Sequence, residues 1–205
     1  MSPAPTPPVP VKLAGRGTPL WIAGLAAILV LVGIAASVSV CAWALGLGYE
    51  EGQVVIDGKI VVGADGDPIK LAQNPEATDA SWDRLRQFLF DDHTDTLRYD
   101  DESFVCADFA EMLHNNAEEA GIKAGYVFIE FDGDTPAHAC NVFRTTDRGL
   151  VYVDDTGTLD GGVNADKTVD LAEGRAYCPV SIFPDPRIDG EWDCMGRVSR
   201  IFVTW

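Results

Sequence analysis

The sequence predicts an α+β domain, a central helix packed on an antiparallel sheet, standing after one N-terminal transmembrane helix. Three observations predict it. An uncharged apolar run, Leu20 to Leu47, precedes every acidic residue of the chain. A well-marked amphipathic helix begins near Cys106. After it come aromatic and β-branched runs separated by turns. A central helix followed by a series of strands is the α+β order, not the alternating order of βαβ units.

The elements follow in chain order. Residues 1–19 carry Pro3, Pro5, Pro7, Pro8 and Pro10, which cannot continue a helix, and are expected to form a disordered cytoplasmic tail. Residues 20–48 are expected to cross the membrane. The run Leu20–Leu47 offers 28 residues without a charge, where roughly 20 suffice for a bilayer core. Its small residues, Gly24, Gly33, Ala35, Ala36 and Ser37, are tolerated in membrane helices. Lys12 and Arg16 precede the run and Glu50 and Glu51 follow it. The positive-inside rule then leaves the N-terminus in the cytoplasm and everything after Tyr49 outside, as a single-pass protein of the cell membrane. A signal peptide cleaved after Ala42-Trp43-Ala44 is the competing reading. Against it, the apolar run exceeds the roughly 7–15 residues usual for such peptides.

Residues 49–75 read as a hairpin and linker. Val54-Val55-Ile56 and Ile60-Val61-Val62 flank Asp57-Gly58, a pair suited to the positive φ angles of a two-residue turn. Residues 76–205 read as the principal domain. Ser81 can cap a helix whose Trp82, Leu85, Phe88 and Leu89 share one face. Asp91 to Glu102 is polar and reads as a loop. In the next helix Phe109, Ala110, Leu113, Ala117 and Ala120 recur at helical spacing, and Gly121 stands where a left-handed cap belongs. Tyr126–Phe131, His138–Arg144 and Leu150–Val153 then read as an antiparallel meander, with further strands near Cys178–Phe183 and Val198–Val203.

The formal net charge is −17 over 205 residues. That sign excludes nucleic acid as a partner, since phosphate binding needs Lys and Arg. It also disfavours lying flat on an anionic membrane surface. The acids are 22 Asp against 10 Glu. Two readings of this bias stand side by side: adaptation to high salt, or a solvated surface rich in Asp turns.

Three residues can carry chemistry together. Cys106 opens a helix, where unpaired amides and the positive dipole end favour a thiolate and can stabilise an oxyanion. A cysteine at a helix start is more often plain packing, and the acidic Asp100, Asp101, Glu102 and Asp108 disfavour thiolate, so a cationic partner is wanted. His138 can be that partner and the general acid for a leaving group. Asp154, at the end of the following strand, can orient the imidazole. The two lie about equally far from the turn at Asp147–Gly149, so they are expected to face each other.

Phe104-Val105-Cys106-Ala107-Asp108-Phe109-Ala110, Gly121-Ile122-Lys123-Ala124, Ala137-His138-Ala139 and Val151-Tyr152-Val153-Asp154-Asp155-Thr156 together resemble the core of the transglutaminase-like superfamily. The resemblance covers about residues 74–156. It implies a papain-like fold with Cys106 as nucleophile, His138 as base and acid, and Asp154 as orienting residue. Asp155 is the alternative to Asp154, and Cys140 stands where such proteins often carry Trp. The function so implied is thiol acyl transfer, either amide hydrolysis or transamidation, on a protein or peptide substrate at the cell surface. The alternative is a non-catalytic surface binding or scaffolding domain.

No cofactor or metal is expected. The three histidines show no metal-ligand spacing, and Asp65-Gly66-Asp67 and Asp132-Gly133-Asp134 read as turns, without the further ligands of an EF-hand. No Walker-type or Rossmann glycine loop is present. Of the outer cysteines, Cys178 and Cys194 form the favoured disulfide. Cys140 is read as a small buried hydrophobe, with a reversible Cys106–Cys140 bridge as the alternative.

Overall fold

A computed structural model describes residues 50–187 and 192–205. The chain from residue 50 onward belongs to one compact unit. Strand β1 (Glu50–Gln53) pairs antiparallel with β4 (Lys70–Gln73), and between them β2 (Val55–Ile56) and β3 (Lys59–Ile60) form a hairpin. Its turn residues Asp57 and Gly58 have φ of 50° and 74°, the left-handed pair that a two-residue hairpin turn requires.

Helix α1 (Trp82–Asp91) starts where Ser81 Oγ accepts from Arg84 N at 3.3 Å, and it buries Trp82, Leu85 and Leu89. A 3₁₀ turn (Thr94–Thr96) leads towards helix α2 (Cys106–Glu119). Helix α2 ends at Gly121, whose φ of 71° suits the residue that follows a helix. Then come β5 (Ala124–Phe131), β6 (His138–Thr145), β7 (Gly149–Asp154), β8 (Lys167–Val169), β9 (Pro179–Ser181) and β10 (Val198–Thr204). They build one six-stranded antiparallel sheet in the order β10-β5-β6-β7-β8-β9, the last strand returning to pair with the first.

The expected α+β arrangement, a central helix packed on a sheet, is overturned. The described chain is mostly β, with two short helices of 10 and 14 residues beside the six-stranded sheet. No described helix is long and apolar enough to cross a membrane. The physical reason is the shortness of the helical stretches. Asp92 and Gly121 end them, whereas β-branched and aromatic residues supply strand after strand. The apolar run Leu20–Leu47 and the Pro-rich tail, to which the sequence assigned the membrane helix and the cytoplasmic segment, lie outside the described residues.

Alternation along β6 sorts its side chains onto two faces. Ala139 packs with Ala107 and Ala110 of α2, and Phe143 with Leu113 and Ala117. Cys140 and Val142 pack on the other face with Val127, Val169 and Tyr177. Polar side chains of α2 fasten the segment around β4. Glu118 accepts from Asn74 N at 3.0 Å and Ala124 N at 2.8 Å, and Asn115 accepts from Ala72 N at 2.8 Å.

Candidate active site

The first turn of α2 is capped by its own third residue. Asp108 Oδ2 accepts from Val105 N at 2.8 Å and from Ala64 N at 3.1 Å, tying the turn after β3 to the helix start. Val105 has no side-chain oxygen to cap the helix amides, so only the reciprocal half of a capping box forms, in which the N3 carboxylate holds the N-cap N–H. The cap fixes Cys106 as the first helical residue, half-buried and unbridged.

His138 opens β6 and Asp154 closes β7. The pairing of Asn141 with Val153 continues to Cys140, not His138, opposite Asp154. His138 and Asp154 are therefore diagonal neighbours rather than directly facing residues, and their side chains close the gap. His138 Nε2 lies 3.0 Å from Asp154 Oδ2 in a buried pair. With Nε2 occupied in this way, Nδ1 is the ring nitrogen left for the Cys106 thiol, which lines the same cavity. Burial alone would discharge the ring. The charge and hydrogen bond of Asp154, reinforced by Cys106, outweigh it and push the His138 pKa up to about 10.

Asp154 is the most heavily supported group of the site. Tyr177 Oη donates to its Oδ2 at 2.8 Å and Thr156 N to its Oδ1 at 2.9 Å, while Lys167 Nζ stands 3.7 Å from Oδ1. Burial opposes ionisation of this carboxyl. The Lys167 charge and then that of His138 prevail and hold its pKa well below the usual carboxylate range. Lys167 is itself buried and donates to Thr156 O at 2.7 Å and Ala165 O at 2.6 Å, with the Trp192 ring 4.3 Å from its ammonium. The Tyr177 ring meets the His138 ring edge-on at 5.2 Å between centroids. A buried carboxylate so furnished can stay charged and hold an imidazolium in one orientation.

Cys106, His138 and Asp154, the three residues singled out in the sequence, thus line one cavity of about 480 Å³. Tyr99, Trp192 and Met195 contribute to its apolar wall. Asp155 does not compete for the ring; its carboxyl meets Asp166 instead. Cys178 is bonded to Cys194, and Cys106 and Cys140 are free. Cys140 is buried beside Tyr177, and burial pushes its thiol pKa up. Sequence reasoning missed Lys167 and Tyr177. Lys167 opens β8, a strand of three residues too short to register in local periodicity, so no sequence signal marks it. Tyr177 carries no signal beyond adjacency to Cys178.

Among family models, curated proteins and solved structures, none matches the chain.

Proposed function

We propose that the chain is a thiol acyl-transfer enzyme working through Cys106, His138 and Asp154 on an amide of a protein or peptide substrate. The observation that carries this reading is the buried His138–Asp154 pair, 3.0 Å across, sharing a cavity with the thiol at the start of α2. Cys106 Sγ adds to the amide carbonyl, and the oxyanion is stabilised by the Cys106 and Ala107 amides, which have no acceptor within the helix. His138 gives its proton to the departing amine as the C–N bond breaks, leaving a thioester. Water or a second amine then attacks the thioester. Neutral His138 takes a proton from the attacking group, the C–S bond breaks, and the thiolate–imidazolium pair is restored. The resemblance of the catalytic motif to the transglutaminase-like superfamily supports this chemistry and belongs to the same proposal. So does a position outside the cytoplasm, which the Cys178–Cys194 disulfide favours because such bonds persist in oxidising surroundings.

The test is alkylation of the purified full chain with iodoacetamide, with the labelled cysteine mapped by mass spectrometry, beside an assay for ammonia release and for incorporation of a fluorescent primary amine into a glutamine-containing protein. Cys106 is expected to label faster than Cys140, His138→Ala to slow it, and Cys106→Ser to abolish turnover. Labelling of Cys106 that is indifferent to His138→Ala, with neither product formed, returns the domain to the binding or scaffolding class.

A further inference from the structure

One carboxylate cluster lies outside the chemistry described so far. Asp95 belongs to the 3₁₀ turn between the helices, Asp155 follows β7, and Asp166 precedes β8. All three are buried, and one oxygen from each lies within 4.8 Å of the others. Some of their oxygens are held: Ala165 N donates to Asp95 Oδ2 at 2.7 Å, and Asn164 Nδ2 donates to Asp166 Oδ2 at 3.2 Å. A second observation concerns the oxygens that are not held. Asp95 Oδ1 and Asp155 Oδ2 have no hydrogen-bond partner, although their residues are only 1% and 3% exposed. Thr156 Oγ1, one residue after Asp155, and Asn164 Oδ1, two residues before Asp166, have none either. These make four of the six orphaned buried side-chain atoms among the described residues, so unmet hydrogen-bonding capacity is concentrated in these segments. A buried carboxylate oxygen without a donor is costly, and a cation is the ligand that relieves several at once.

The donor chemistry narrows the ion. Every available atom is oxygen and none is nitrogen or sulfur, which selects hard cations over zinc or copper. Oxygens on opposite sides of a calcium ion stand about 5 Å apart, and around magnesium about 4 Å, so the observed spacing accepts a single ion. Lys167 acts on both Asp95 and Asp166, but it also pairs with Asp154, so it offsets only part of the cluster's negative charge and leaves room for a divalent ion. Burial pushes all three carboxyls' pKa upward, Asp95 to about 6, so the competitor for the ion is the proton.

We propose that Asp95, Asp155 and Asp166 bind one hard divalent cation, calcium or magnesium, which pins together the segments that carry Asp154 and Lys167. The site stands independently of the acyl-transfer reading, because its ligands touch no reacting atom.

The test uses the full chain, stripped with chelator and titrated calorimetrically with calcium chloride and separately with magnesium chloride, with thermal unfolding followed in parallel. One-to-one binding is expected, with Tm rising by roughly 5–10 °C at about a hundredfold excess over Kd. The salt giving the larger response identifies the ion. Asp95→Asn and Asp155→Asn each remove a charge without changing shape. Either should weaken binding by roughly tenfold or more, while the metal-free variants melt no lower than the metal-free wild type because a buried repulsion is gone. Absence of one-to-one heat and of any Tm shift overturns the proposal and leaves a cluster that shares protons. A response of equal size in wild type and both variants overturns it too, since the ions would then be binding diffusely to the acidic surface.

Discussion

His138 illustrates how a single residue's environment sets its working range. Its pKa of about 10 rests on Asp154, whose charge overcomes the burial of the ring. The imidazolium therefore persists through neutral pH, and the alkaline fall in kcat/KM is expected near pH 10 rather than near 6.5. Asp154→Asn removes the charge but not the shape, and burial then works unopposed. The alkaline limb should move down by several pH units, readable in pH–rate profiles and in the His138 ring resonances. A limb that stays near 10 in the variant assigns the shift to some other group. Gly157 shows a different kind of constraint. A Cβ there would stand 2.1 Å from Leu97 O and 2.9 Å from Asp95 O, and backbone cannot swing aside as a side-chain tip can. Gly157→Ala is expected to cost about 2–4 kcal/mol in chemical denaturation and to disturb the cavity wall it belongs to. Cys106, His138 and Asp154 were legible as residues because their order and motif context survive in one dimension. Lys167 and Tyr177 were not, since what makes them matter is contact across β7, β8 and the approach to β9. Asp95 was read as part of a solvated loop because its neighbours Asp91, Asp92 and Asp100 are acidic, and local polarity carries no information on which carboxylate turns inward.

Helix α2 joins the site to the rest of the domain through polar as well as apolar side chains. His114 is fully buried in it, with Asn115 Oδ1 3.3 Å from Nδ1 and Gln73 Nε2 3.4 Å from Nε2. That set suits a neutral ring, Nδ1 donating and Nε2 accepting, and burial lowers the pKa to about 4. The folded pKa thus lies below the unfolded value of 6.5. The unfolded chain takes up the proton first as pH falls, so the stability is intact above about 6.5 and drains away down to about 4. The loss is on the order of 3 kcal/mol for this shift. His114→Gln keeps a hydrogen-bonding side chain without titrating, and it should flatten that part of the stability curve in urea melts at pH 7, 5.5 and 4. An unchanged slope in the variant would sink the assignment. At this scale the sequence was informative wherever one element signals itself. Ser81, the Asp57-Gly58 turn and Gly121 each lie at the turn or cap their chemistry suggests. It was silent on β1, β4 and β8, which are three or four residues long. Strands that short owe their existence to partners distant in the chain, so local periodicity cannot register them.

Over the whole molecule the largest single property is charge, −17 with a sequence pI near 4.3. Self-repulsion of that size favours the expanded state, so Tm should rise by a few degrees between low salt and about 0.5 M sodium chloride as screening tightens. A flat response to sodium chloride would mean that the acids are locally compensated. The mostly-β topology was the least legible feature, because the return of β10 to β5 and the addition of β8 and β9 beyond the meander depend on long-range pairing. The segment entering β9 and the segment leading to β10 are joined by Cys178–Cys194. The bond has a local consequence for the cavity as well as a global one. Cys178 separates Tyr177, which donates to Asp154, from Pro179 on the cavity wall, and Cys194 stands between the wall residues Asp193 and Met195. Closing a loop over a sequence separation of 16 restricts the unfolded chain and stabilises the native state by roughly 3 kcal/mol in the chain-entropy description. The pair Cys178→Ser, Cys194→Ser should lose about that much in denaturant melts. If the cavity is where substrate binds, the pair should also raise KM more than it lowers kcat, because the cavity wall loosens while the His138–Asp154 pair keeps Lys167 and Thr156 as supports. Equal losses in kcat and kcat/KM with KM unchanged would instead make Tyr177, held in place by the bridge, the support that the Asp154 carboxylate cannot do without.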